Sequence, residues 1–188
     1  MRKLIVIIFV SMLSACASHI ASQQPVILDD QSQFVLQPVP AVLAGTGRLE
    51  KLQISAPDQD HQLLLQIEIF AQQVKMVGFS LSGLVLFEMK WDPVTGLESH
   101  TKVPLGDLRP EVLFAYFQLA NWPDTAVQRG ARGIQLHSEE NSRQFYRDEQ
   151  LVFSIQTTKQ TTLFDHHLQH FQIKIDKIKQ WKLDEQLD

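Results

Sequence analysis

The feature that most constrains the fold is a period-two alternation of apolar and polar residues between positions 63 and 91. An extended strand points successive side chains to opposite faces, so this pattern is typical of strands with one buried face. Turn-forming residues separate the repeats at positions 71–73, 80–83 and 92–96. The residues on the apolar face are Leu63, Leu65, Ile67, Ile69, Val74, Met76, Val85, Phe87, Met89 and Trp91. We predict consecutive antiparallel hairpins, with a bulge or a close backbone approach at Gly78.

The alternation stops after this region, and residues 107–130 have helical spacing. Pro110 suits the first position of a helix. Apolar residues then recur at spacings of one, three and four; they are Val112, Leu113, Phe114, Tyr116, Phe117, Leu119 and Ala120. A helix that is apolar on most of its circumference has to be covered on more than one side. Residues 121–124 break the helix, and one further turn is expected before Gly130.

Strand patterns return after the helical segment, at residues 134–136, 143–146, 151–155 and 171–175. The order is therefore strands, one helical insert, and strands again. This order predicts an α+β fold in which a large antiparallel sheet curls around the helical insert.

The amino terminus has the pattern of an export signal that ends at the only cysteine of the chain. Arg2 and Lys3 precede an apolar stretch that is shorter than the ~20 helical residues needed to cross a bilayer. The residues 13–16, Leu-Ser-Ala-Cys, resemble a bacterial lipobox, which implies lipidation of Cys16 with acyl chains such as palmitate. We expect a signal peptide at residues 1–15, a lipidated tether at 16–43, and one folded domain at 44–188.

The destination of such a lipoprotein is implied by the residue after the cysteine. In enteric bacteria an aspartate at this position retains a lipoprotein in the inner membrane, and this chain has Ala17 instead. The resemblance implies the periplasmic face of the outer membrane. With a single cysteine in the chain no internal disulfide is available, so the domain has to be held by packing.

Composition argues against several classes of function. The chain has a formal net charge of −4 at pH 7, and its basic residues between 174 and 182 are interrupted, so we expect no nucleic-acid partner. The sequence contains no Gly-x-Ser-x-Gly elbow and no His-Glu-x-x-His motif. We therefore expect no enzymatic activity, no catalytic or metal site, and no cofactor.

Two sets of polar residues have a possible functional interpretation. His166, His167 and His170 could hold a transition metal on a helix, but the strand pattern that follows favours a solvated hairpin. A second set could contact an anionic head group at the mouth of a cavity; it consists of Arg109, Arg129, Arg132 and Arg143.

Several short motifs resemble a family of uncharacterised bacterial lipoproteins that is grouped with the outer-membrane lipoprotein receptor LolB. The motifs are residues 78–83, 86–92, 113–119 and 121–123, and Phe145-Tyr146, within a region of about 45–176. Members of that family are often encoded near fatty-acid or aryl-polyene synthesis genes. The resemblance implies an unclosed antiparallel β-barrel, similar to LolA and LolB, whose concave apolar face is covered by helices and leaves a cavity for acyl chains.

The alternating strands and the insert supply the candidate lining of that cavity. The candidates are Leu65, Ile67, Ile69, Met76, Val85, Phe87, Met89, Trp91, Leu113, Phe114, Phe117 and Trp122. Apolar concave sites are typical of small-molecule binding, so one hypothesis is a carrier of acyl chains or other hydrophobic cargo in the periplasm. The same pattern also fits a filled core, and the alternative is an assembly lipoprotein that acts through contacts with a periplasmic protein partner.

Overall fold

The structure is a computed structural model, which describes residues 25–57, 59–103 and 109–183. Two short strands come first, β1 (Val26–Ile27) and β2 (Gln33–Phe34). Five strands follow: β3 (Thr46–Ala56), β4 (Gln59–Ile69), β5 (Val74–Phe79), β6 (Val85–Asp92) and β7 (Gly96–Thr101). The helices are α1 (Pro110–Asn121) and α2 (Asp124–Gly130). Six strands complete the fold: β8 (Ala131–Arg132), β9 (Gln135–Glu139), β10 (Ser142–Arg147), β11 (Gln150–Thr157), β12 (Thr161–His166) and β13 (Phe171–Lys182).

Ten strands form one antiparallel sheet in the order β7-β6-β5-β4-β3-β13-β12-β11-β10-β9. The long strands β3 and β13 pair at its centre and join the strands before the helices to those after them. Strands β7 and β9 are the two edges, so the sheet is unclosed.

Helix α1 lies against both halves of this sheet. Phe114 contacts Trp91 of β6, with ring centroids 6.1 Å apart, and Tyr116 contacts Phe164 of β12 at 4.2 Å. One helix can reach both strands only if the sheet curves around it. The predicted α+β fold, an unclosed curled sheet covered by a helical insert, is confirmed.

The predicted hairpins also agree with the structure. Leu63, Leu65, Ile67 and Ile69 are all buried on one face of β4. The register between β5 and β6 shifts at Gly78, where an added Cβ would overlap the ring of Phe87. A bulge and a close side-chain approach therefore both occur at this glycine.

The folded part of the chain begins earlier than expected. Strands β1 and β2 pair with β8 in a small second sheet, and the core includes Leu28, Phe34 and Leu36. Residues 25–43, part of the expected tether, therefore pack in the folded domain, where Val35 donates to the carbonyl of Gly130 at the end of α2 and Gln37 donates to Gln118 of α1. The expectations for residues 1–24, including Cys16, and for the helical residues 107 and 108 lie outside the described residues.

Candidate functional site

The structure brings all the predicted cavity residues except Val85 together in one core. Eleven of the twelve are buried, and Val85 is half-buried. On the helix side, Phe114 contacts Trp91 and Phe117, and Phe117 in turn contacts Trp122 edge to face at 5.4 Å. The predicted cavity residues Met76, Phe87, Met89 and Trp91, on β5 and β6, therefore form part of a packed core.

A small cavity lies between helix α1 and the centre of the sheet. Its volume is about 20 Å³. The lining residues are Glu50, Leu52, Leu65, Leu113, Tyr116, Phe117, Ala120, Thr162, Phe164, Ile173 and Ile175. Only Leu65, Leu113 and Phe117 belong to the predicted set, because the cavity lies towards β3, β12 and β13 and away from β5 and β6.

The size of this cavity limits what it holds in the present conformation. A single water needs roughly 10 to 15 Å³ of such volume, so the space is comparable with one water molecule. A hydrocarbon chain would enter only if side chains of α1 moved away from the sheet.

Two charged residues of β3 lie on the same face as this cavity: Glu50 is buried, and Arg48 is half-buried, with 16% of its side chain exposed. The inward positions of β3 are Arg48, Glu50, Leu52 and Ile54, and Glu50 is only 4% exposed. The Nη1 atom of Arg48 donates to Oδ1 of Asn121 at 3.0 Å and lies 3.5 Å from Oε1 of Glu50. The guanidinium group also lies over the ring of Phe117, 4.5 Å from its centroid.

Burial dominates the electrostatics of this pair. It raises the pKa of Glu50, against the opposing effect of Arg48 and Lys177. It lowers the pKa of Arg48, against the opposing effect of Glu50. The Nε and Nη2 atoms of Arg48 are buried and have no hydrogen-bond partner among the residues that the structure describes, which is unusual for a charged group in a protein interior.

Neither Arg48 nor Glu50 is among the site residues predicted from the sequence. The available signal was the spacing, because Arg48 and Glu50 continue the every-second-residue row of Leu52 and Ile54. A search for apolar residues at every second position does not detect this row, because Arg48 and Glu50 are charged.

Helix α1 is attached unevenly to the rest of the domain. Near its carboxyl end, Gln118 Oε1 accepts from the backbone N–H of Gln37 at 2.8 Å, and Trp122 Nε1 donates to the carbonyl of Pro38 at 2.8 Å. Arg143 donates to the carbonyls of Leu119 and Trp122 at 2.6 and 2.8 Å. At the amino end none of the described side chains caps the helix, and Arg109 donates to the carbonyl of Ile27 at 3.3 Å. Polar attachment is thus concentrated at one end.

The arginines considered for a head group have other roles where their contacts are defined. Arg143 also pairs with Asp124 at 2.7 Å, so its donors are used at the end of helix α1. Arg132 donates to the carbonyls of Arg129 and Ala131. Because these contacts occupy both side chains, we do not propose Arg132 or Arg143 as anion ligands.

The prediction of a solvated histidine hairpin is wrong for His166. This side chain is fully buried on the inward face of β12, in contact with the rings of Phe153 and Phe171. Its Nδ1 accepts from the backbone N–H of Gln169 at 3.2 Å, and its Nε2 lies 3.8 Å from Oδ2 of Asp29. Burial lowers the pKa of His166 to about 4, although Asp29 opposes the shift.

The other two histidines do not share that site. His167 Nε2 is 3.1 Å from Oγ of Ser154, and His170 adopts a positive φ of 54° between β12 and β13. Over the described ranges, no group of three or more His, Cys, Asp or Glu side chains is arranged to hold a metal ion.

No helix within residues 25–57, 59–103 and 109–183 is both long and apolar enough to span a membrane. A comparison with curated proteins found no match. Among solved structures, the chain is similar to a candidate outer membrane lipoprotein-sorting protein domain from Vibrio parahaemolyticus. The identity is 7%, the TM-score is 0.43, and the match covers 77% of this chain and 87% of that domain. A score at this level does not establish a common fold.

The comparison with protein families gives a firmer result. Residues 48–179 match the family described as "Protein of unknown function (DUF3261)". This range contains β4 to β12, both helices and most of the two central strands, and therefore the whole cavity lining. The finer resemblance to LolB stays a prediction, but the matched region spans well over half of the sequence, and the chain belongs to the DUF3261 family.

Proposed function

We propose that this protein is an outer-membrane lipoprotein whose domain binds a hydrophobic chain between helix α1 and the curled sheet. Cys16 would carry the lipid anchor and hold the domain at the periplasmic face of the membrane. The chemistry is binding and release, so it needs no catalytic residue.

One observation carries this proposal, namely the position of the cavity under a helix that is fixed at one end. The hydrogen bonds at Gln118, Trp122 and Arg143 hold the carboxyl end of α1. The amino-terminal half rests on the sheet mainly through apolar side chains such as Leu113 and Phe114. Apolar packing is non-directional, so an acyl chain can take the place of these side chains against the sheet.

The energetics favour such an exchange when the chain is long enough. Each buried methylene contributes ~0.8 kcal/mol, so a chain of about ten methylenes offers of order 8 kcal/mol. That is enough to offset partial displacement of two or three large side chains, each of which contributes ~1.5 to 3 kcal/mol when buried.

Titration of the mature chain carrying Cys16→Ser with a fluorescent fatty acid tests the proposal. We expect saturable binding, and Phe117→Asp should weaken it by about tenfold or more, because Phe117 lines the cavity. Leu81→Asp is the matched control, since Leu81 is 54% exposed on the β5–β6 turn, and it should leave binding unchanged. Absence of saturable binding by the wild-type domain would contradict the proposal.

The small volume of the cavity favours a second candidate, an assembly lipoprotein with a filled core. Such a protein would contact its partner through its surface, where Leu81 and Leu84 on one turn are 54% and 57% exposed. If Leu81→Asp abolishes recovery of a periplasmic partner while no fatty acid binds, this candidate replaces the first.

A further inference from the structure

We propose that Arg48 binds the oxyanion end group of the hydrophobic ligand, so that the ligand is a single-chain amphiphile with a carboxylate or phosphate at one end. This inference rests on the proposed function and adds the chemical class of the ligand.

The geometry of the guanidinium group supports this assignment. Its Nη1 atom is engaged by Asn121 and lies near Glu50, and one face lies over Phe117. The remaining donors, Nε and Nη2, lie side by side on one planar edge and have no partner within the described chain. This edge is the fork that pairs with two oxygens of a carboxylate or phosphate.

Leaving that edge unpaired is costly for the free protein. A buried polar group without a partner is destabilising, and a charged group is more so. A ligand oxygen that accepts from Nε or Nη2 would remove part of this cost. The site therefore favours an oxyanion over an uncharged end group such as an ester.

The position of Arg48 is compatible with a ligand whose hydrocarbon chain lies in the cavity under α1. Arg48 lies beside Glu50 and Phe117, which both line the cavity under α1. Arg48 does not itself line the cavity, so the chain of a ligand held by Arg48 would pass Glu50 or Phe117 to reach Leu52 and Leu65.

Glu50 is compatible with an anionic ligand because of its environment. Its burial raises the pKa of the carboxyl group, so Glu50 takes up a proton more readily than an exposed glutamate does. A protonated Glu50 would not repel the oxyanion and could donate a hydrogen bond to it.

Three ligands with the same chain test the inference: dodecanoate, its methyl ester, and dodecyl phosphate. Each is titrated into the mature chain carrying Cys16→Ser. We expect the methyl ester to bind about tenfold or more weakly than dodecanoate. The comparison of dodecanoate with dodecyl phosphate identifies which oxyanion the fork prefers.

The matching variant is Arg48→Met with Glu50→Gln, because removing only the arginine would leave a buried carboxylate without its cation. We expect this double variant to bind dodecanoate and the ester within about twofold of each other. Arg48→Lys keeps the charge but lacks the fork, and it should retain only part of the preference. Arg132→Met is the control, since Arg132 is exposed and donates to backbone carbonyls, and it should keep the wild-type preference.

The outcomes separate the two proposals. Equal binding of acid and ester by the wild-type protein would overturn the role of Arg48 and leave chain binding intact. Failure of all three ligands to bind would overturn chain binding itself. Thermal unfolding shows whether each variant is folded; if the double variant is not, the wild-type comparison and Arg48→Lys decide the question.

Discussion

At the scale of single residues, the interior contains two pairs of ionisable side chains with different surroundings. Arg48 and Glu50 lie beside the cavity. Asp29 and His166 lie where the amino-terminal segment meets β12, and Arg147 donates to Asp29 Oδ1 and Ser32 Oγ, each at 2.6 Å. The second cluster joins residues far apart in the sequence, so we expect it to control stability.

His166 makes the stability of the fold sensitive to mild acid. Its pKa is about 4 in the folded protein and ~6.5 in an unfolded chain, so the unfolded state binds more protons between these values. The stability is therefore fully present above about pH 6.5 and falls as the pH drops towards 4, by at most about 3 kcal/mol. Urea unfolding at pH 7 and about pH 4.5 measures this loss.

The control for this prediction is His166→Asn, whose side-chain oxygen can replace Nδ1 as the acceptor for Gln169. It should lose clearly less stability than the wild type over the same interval. Glu50 acts in the opposite direction, because its raised pKa favours folding as the pH falls, but it does so equally in both proteins. Parallel pH profiles for the two proteins would show that His166 does not titrate as described.

At the scale of elements, the strands were predictable where polarity alternates and unpredictable where it does not. Strands β4 to β6 have apolar inward rows, so period two identifies them. Strand β12 was missed because its inward row is Thr162, Phe164 and His166, of which only one is apolar. Strands β1 and β2 are two residues long, too short for any period to be visible.

The candidate site was predictable to a similar extent. The helical insert and the buried face of β4 follow from spacing alone, and they supply Leu65, Leu113 and Phe117 of the lining. The contribution of β3, β12 and β13 depends on the long-range pairing of β13 with β3, which no local pattern encodes.

Arg143 is expected to hold the carboxyl end of helix α1. Replacement by Met removes two bonds to helix-terminal carbonyls and the pair with Asp124. We expect a loss of about 2 to 3 kcal/mol in unfolding free energy, since hydrogen bonds to charged groups contribute ~1.5 to 3 kcal/mol each. A cation at the carboxyl end of a helix also interacts favourably with the helix dipole. Chemical denaturation measures the loss.

Arg132→Met is the matched control, because Arg132 also donates to backbone carbonyls but lies exposed on the surface. It should cost less than about 1 kcal/mol. Equal losses for the two variants would mean that Arg143 does not anchor the helix.

At the scale of the whole molecule, the proposal combines a lipid anchor with a curled sheet that is covered by one helix. The sheet is unclosed at β7 and β9, so no closed ring of interstrand hydrogen bonds resists a change in its curvature. Movement of α1 is therefore compatible with an intact central pairing of β3 and β13.

Replacement of Cys16 by Ser should separate the domain from the membrane. Cys16 is the only cysteine of the chain, and the lipobox resemblance implies that its thiol is the acyl acceptor. Stable anchoring needs more than one acyl chain, so we expect the variant to appear as a soluble or uncleaved form after cell fractionation. Partition of the mature variant with outer membranes after a salt wash would contradict the anchor.

The most direct test of the central claim is calorimetric titration of the mature Cys16→Ser protein with saturated fatty acids from octanoate to palmitate. If a chain is buried between α1 and the sheet, one ligand should bind per domain. Affinity should then rise about fourfold for each added methylene, the equivalent of ~0.8 kcal/mol, until the chain exceeds the available length. Absence of saturable binding at every chain length, or an affinity independent of length, would contradict the account.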